Sequence, residues 1–280
     1  VKKAFFIVIL SLSLFCLAEH TYATTDDPVL SPISFQIEIQ NWEAVNKLLP
    51  KYSKFTVIDV ESGKSFDVQR RAGSRHADVQ PLTREDTKIM KEIYDGNWSW
   101  RRRAILILAN DSLIPASMHG MPHGAGSLQN GFRGHFCIHF LGSTTHQSGK
   151  SDLAHQVMIL KAAGKIDEYI NNLPPSKLLN VLFVSIKNRD KGLVKNIAIS
   201  NHKNIKKELK KIERIKAIQW TFPKTKESEP YSFATEIPVE VSLSIKDRGY
   251  IRTKLSFTLV RTSPLSPWKV NIDPLLSTIN

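Results

Sequence analysis

Six of the nine histidines in this 280-residue chain fall between positions 119 and 155, and one of its two cysteines lies among them. The first block reads His119-Gly120-Met121-Pro122-His123-Gly124-Ala125-Gly126, and its Gly and Pro mark a loop. The second, His135-Phe136-Cys137-Ile138-His139-Phe140, is apolar or aromatic at every other position and so predicts a strand. Side chains of a strand alternate between its faces. Phe136, Ile138 and Phe140 are therefore expected in a core, with His135, Cys137 and His139 together on the opposite face. Three chemistries fit that row. An imidazole can take the thiol proton, leaving the thiolate to attack as a nucleophile. Imidazoles and a thiolate can hold zinc, although no Cys-x-x-Cys spacing is present and three neighbours on one strand make an awkward tetrahedral set. Or the histidines line a polar surface and do no chemistry.

His119, fourteen intervening residues, then Gly134-His135-Phe136-Cys137-Ile138-His139 resembles the signature of YkuD-type L,D-transpeptidases over about residues 55–165. That signature is a histidine, a spacer, Ser/Thr-His-Gly-Cys, a hydrophobic residue, and Asn or Arg. The resemblance makes Cys137 the nucleophile, His119 its general base, and His135 the pocket histidine beside the thiol. Gly120 falls where a backbone carbonyl orients the base. Gly134 replaces Ser/Thr, Phe136 replaces the Gly that admits an oxyanion, and His139 replaces Asn/Arg. Phe136 is accommodated if its ring faces the core, and His139 supplies a polar group in Arg's place. The implied reaction is acyl transfer from a peptidoglycan stem peptide, with release of a D-amino acid and no metal or cofactor. Backbone N–H groups around Phe136 and Cys137 are the expected oxyanion donors.

The amino terminus agrees with a substrate outside the cell. Lys2 and Lys3 precede the apolar run Ala4 to Leu10, which continues through Leu12, Leu14 and Leu17 and ends near Ala23. A basic head, an apolar middle and a small-residue exit predict an export signal over 1–23, and a secreted or wall-associated protein. The apolar core is short of the about 20 residues that span a bilayer, so no stable membrane span is expected after cleavage. Cys16 leaves with the signal, and Cys137 is then an unpaired thiol in an oxidising compartment.

These elements need a scaffold. The chain is 41% hydrophobic and 23% charged, ordinary for a protein with a real core, and a disordered chain or disulfide scaffold is excluded. Asn171-Asn172-Leu173-Pro174-Pro175 breaks the chain, which predicts a Cys/His domain over 24–172 and an accessory domain over 176–280. The first is expected to be mainly β. Strands are predicted at Phe35–Ile39 and Ala104–Ala109, a hairpin at 55–69, a helix capped by Thr83 and closed by Gly96, and another helix after Asp152. The second begins with helices from Leu178 to Ile197 and at Lys203 to Lys216, then turns to long alternating strands about Asp247-Arg248-Gly249. The fold class is α+β. Helices followed by an antiparallel meander resemble the nuclear-transport-factor-2-like cone.

The net charge of +13 is uneven: residues 176–280 carry 20 basic and 9 acidic side chains. Anionic wall polymers are the expected partners of this half or, equally, its lysines form a solvated face. Nucleic acid is not expected, because no reader motif is present. Arg75-His76-Ala77-Asp78 is expected chiefly to stabilise a turn. Trp98, Trp100 and Arg101-Arg102-Arg103 are expected to bury their rings and end a strand in solvent. His123, His146 and His155 are expected at the surface. The rival to an enzyme is a non-catalytic wall-binding module that retains the scaffold.

Overall fold

The structure, a computed structural model, describes residues 37–145, 149–223 and 232–279. The expected export signal, Cys16 and His146 lie outside them.

Strands β1 (Lys54–Asp59) and β2 (Ser65–Ala72) form the expected antiparallel hairpin, and β3 (Ala77–Pro81) pairs with β2. Thr83 starts the helix Arg84–Ile93 with a reciprocal cap: its hydroxyl accepts from the Asp86 N–H, and the Asp86 carboxylate accepts from the Thr83 N–H. β4 (Arg102–Ala109) and β5 (Ser112–His119) are joined through Asn110 and Asp111, both at positive φ, as a tight hairpin turn requires. β6 (Phe136–His139) enters between β3 and β5 and closes a six-stranded barrel in the order β1-β2-β3-β6-β5-β4. Closure leaves this sheet no free edge.

Alternation fills the barrel interior with Phe66, Val68, Val79, Ile105, Ile107, Met118, Phe136 and Ile138, all buried. The Phe136 ring packs beside Phe66 and Phe132, on the face away from Cys137. The predicted strand at 35–39 is reduced, among the described residues, to a bridge between Ile37 and Leu113.

The outer face of β4 and β5 is covered by the helix Leu153–Ala162, which Asp152 caps. The helices Pro175–Lys187 and Lys191–Ile197 follow. The predicted lysine-covered stretch is a short helix, Ile205–Glu208, running into the 3-10 turn Leu209–Arg214. A five-stranded sheet comes next, and the helix Asp273–Ile279 follows its last strand. The sheet comprises β7 (Ala198–Ile199), β8 (Ile215–Thr221), β9 (Ala234–Ile245), β10 (Gly249–Val260) and β11 (Lys269–Asn271), in the order β7-β11-β10-β9-β8. Asp247 and Gly249 take positive φ in the β9–β10 turn.

One apolar cluster joins this sheet to its helices, and it extends back across Pro174 to Val157, Met158, Ala162 and Ala104. Gln36–Asn280 is thus a single compact unit by its contacts. Sheets that are antiparallel except for the β7–β11 pair, with helices packed against them, make the fold α+β. Among the described residues no helix is long and apolar enough to cross a membrane.

Candidate active site

The register of four barrel strands sets a row of polar side chains on the outer face. Asp78 of β3 pairs with Cys137 of β6, and Arg102 of β4 pairs with His119 of β5. The β5–β6 pairs Ser117–His139 and Met118–Ile138, carried on by one residue, bring His119 opposite Cys137. The row therefore reads Asp78, Cys137, His119, Arg102 across the barrel wall. His119 ends a strand, not a loop.

The ring in contact with the thiol is that of His123. Its Nε2 lies 3.3 Å from Cys137 Sγ, while its Nδ1 lies 3.0 Å from the Met121 carbonyl. A carbonyl only accepts, so Nδ1 carries the proton and the Nε2 lone pair faces the sulfur. His123 is carried to the thiol by an antiparallel bridge to His135, with N–H···O bonds of 2.9 and 2.8 Å in the two directions. Gly134 takes φ +92°, and a Cβ there would collide with the His123 carbonyl oxygen. The glycine in place of Ser/Thr is thus a requirement of this bridge. His123 is half-buried, not the exposed loop residue its neighbours suggest.

His119 is close but differently placed. One ligand atom each of His119, His123 and Cys137 lie within 4.8 Å of one another. His119 Nδ1 accepts from the Met121 N–H at 3.4 Å, which leaves its proton on Nε2. Burial, and then the nearby Arg102 charge, hold its pKa well below 6.5, so the ring is neutral. Gly120 lies against the Tyr94 ring, and its N–H donates to the Ser99 carbonyl at 2.8 Å. The carbonyl that orients a ring beside the thiol is that of Met121.

Asp78 is the second acceptor at the sulfur, with Oδ1 at 3.6 Å. The same oxygen lies 3.2 Å from His76 Nε2 and 3.7 Å from His135 Nε2. His76 Nδ1 faces the Thr144 carbonyl at 2.7 Å, so both nitrogens of His76 face acceptors. His76 and Asp78 belong to the site instead of merely stabilising a turn. Burial first, and the Asp78 charge second, push the Cys137 thiol far up, so the resting sulfur is protonated.

Beneath the thiol, His76, His139 and His155 form a stack of near-parallel rings, with centroids 4.4 and 3.8 Å apart. His155 is buried, not at the surface. Its Nδ1 lies 2.9 Å from Ser117 Oγ, and burial holds its pKa well below 6.5. Helix Leu153–Ala162 supplies it, a contact that no local pattern in the sequence signals. Trp100 is half exposed, with its ring 4.6 Å from that of His119 and 5.3 Å from that of His123. Arg102 and Arg103 are not a solvated strand end. Arg102 pairs with Asp152 at 2.7 Å, and Arg103 makes a double contact with the buried Asp59.

Cys137 is only 3% exposed at the surface, yet it lines a cavity of about 690 Å³. Access to the sulfur is through this cavity, whose walls include His76, His119, His123, His139 and Lys187. The sequence-predicted residues Cys137, His119, His139 and His135 are thus gathered around one point, with Phe136 turned away from it. His123, His76, Asp78 and His155 join them. No family model, no curated protein and no solved structure matches this chain.

Proposed function

We propose that this chain is an exported cysteine acyltransferase of the L,D-transpeptidase type, acting on a peptidoglycan stem peptide. The observation that carries this reading is the Cys137–His123–Met121 carbonyl relay: a thiol, a proton acceptor at 3.3 Å, and a backbone oxygen fixing the acceptor's tautomer. On this reading the closed barrel is the L,D-transpeptidase-like part, and the helices and meander after it are an accessory part resembling the nuclear-transport-factor-2-like cone. The basic accessory part faces anionic wall polymers.

The resting thiol is protonated, so proton transfer accompanies attack. The Cys137 Sγ–H proton moves to His123 Nε2 as sulfur bonds to the substrate carbonyl carbon. The carbonyl π pair becomes an oxyanion. His119, a neutral ring in the wall of the same cavity with its proton on Nε2, is its donor and has no charge to lose. Collapse of the tetrahedral centre breaks the C–N bond, and the departing amine takes the proton from His123. Water or an amine then attacks the thioester, giving its proton to His123 Nε2, which returns it to the sulfur.

Incubation with purified muropeptides tests the reading. Release of terminal D-alanine that is lost in Cys137→Ala and reduced at least about 100-fold in His123→Ala supports it. Retention on wall sacculi without turnover favours the wall-binding module and overturns the enzyme.

A zinc centre is the second reading, favoured by the 4.8 Å grouping of ligand atoms in His119, His123 and Cys137, and equally in His76, Cys137 and His139. Asp78, His135 and Cys137 form a third such group, and Cys137 is common to all three. Stoichiometric zinc in the purified protein by elemental analysis would establish it.

A further inference from the structure

The thiol cavity does not end at the barrel. Trp100 and Lys187 line it, and the same two residues line a second cavity of about 390 Å³ reaching β8. Arg101, Met121, Lys216 and Gln219 are among the walls of that second cavity. The two cavities are neighbours across Trp100 and Lys187, one holding Cys137 and the other reaching the edge of the C-terminal sheet. Four cationic side chains, Arg102, Lys187, Arg101 and Lys216, stand in their walls, and no carboxylate is among the described residues lining either cavity. Arg102 and Arg101 are already committed to Asp152 and Asp95. Lys187 is exposed, and no described side chain forms an ion pair with it. It ends the helix Pro175–Lys187, whose Leu178, Leu179, Leu182 and Phe183 are anchored in the core, so its backbone is held by packing where both cavities have it as a wall.

We infer that Lys187 recognises a negatively charged group, a carboxylate on a peptide substrate, and that the C-terminal half thereby completes the specificity of the thiol site. The substrate class rests on the acyl-transfer reading; the charge preference does not. Unlike Arg101 and Arg102, Lys187 has no carboxylate partner among the described residues, and a charge so placed between low-dielectric walls draws the opposite ion. Lys187 offers a point charge with three donors, suited to a carboxylate that arrives from solvent.

The test uses the intact protein and two alkylating reagents that differ in charge, iodoacetate and iodoacetamide. Second-order rates of Cys137 modification are followed by mass spectrometry, with glutathione as the free-thiol reference. The iodoacetate-to-iodoacetamide ratio should exceed the glutathione ratio by at least about tenfold. It should fall several-fold in Lys187→Gln and further in Lys187→Glu, the iodoacetamide rate of each variant serving as the reference for that variant's own thiol. Equal ratios in the wild type and Lys187→Gln overturn the inference. A thiol inert to both reagents overturns it together with the acyl-transfer reading. A raised ratio in a protein that releases no D-alanine keeps the anion subsite and removes the acyl transfer.

Discussion

One proton on Cys137 Sγ has two acceptors, His123 Nε2 and Asp78 Oδ1, and which of them prevails decides how reactive the sulfur is. Asp78 disfavours the thiolate by its charge. Asp78→Asn should therefore speed alkylation of Cys137 by iodoacetamide near neutral pH several-fold, measured by mass spectrometry; unchanged rates would mean that burial alone sets the thiol. His155 makes a separate residue-scale prediction. Its folded pKa is lowered, so below its ordinary 6.5 the unfolded chain binds more protons than the folded one. His76, His139, His119 and Arg102 stand near it, and none offers it a negative charge. Its contribution is complete above about 6.5 and is lost as pH falls. Melting temperature should drop between about pH 7 and pH 5, and His155→Asn should flatten that slope even where it lowers stability at neutral pH.

At the scale of elements, the site depends on a short bridge as much as on the strands. The His123–His135 pairing brings a loop ring onto the sulfur, and Gly134 gives it room. Gly134→Ser should cost about 1–3 kcal/mol by denaturant titration and, by displacing His123 from the sulfur, slow alkylation of Cys137 by iodoacetamide several-fold. The alternation of His135 to His139 was legible in the sequence because period-2 patterning is a local property, and so was Thr83 as a cap. The roles of His119 and His123 were not. Gly120 and Pro122 disguise the end of β5 as loop, and nothing between 119 and 139 announces that residue 123 folds back to pair with 135. Asp78 reaches the thiol from β3, His76 meets Asp78 from the approach to β3, and His155 joins the ring stack from a helix, through pairing and packing that spacing along the chain does not encode. Phe136 was legible in orientation, since its neighbours on both sides are polar.

At the scale of the molecule, the chain break at Pro174-Pro175 is plain in composition, but the apolar cluster runs across it. Val157, Met158 and Ala162 pack with Leu178, Leu182 and Phe183 in one core. A chain ended at residue 172 should expose that face of helix Leu153–Ala162 and with it loosen His155. Loss of the sharp thermal transition together with dye binding to exposed apolar surface is the expected result; a cooperative, soluble 24–172 fragment would show that the barrel stands by itself. The uneven charge was equally plain, yet only the fold shows that Lys187 and Lys216 meet the barrel's own cations in the walls of two neighbouring cavities.

β6 is four residues long and serves two environments at once, with Phe136 and Ile138 inside and Cys137 and His139 outside. A slide of a single position would seat the sulfur in hydrocarbon and push aromatic rings into the opening. Intermediate settings do not exist for a pleat of period two. Activity built on such a strand is therefore lost abruptly, and drift in its flanking loops is tolerated only in steps that preserve parity.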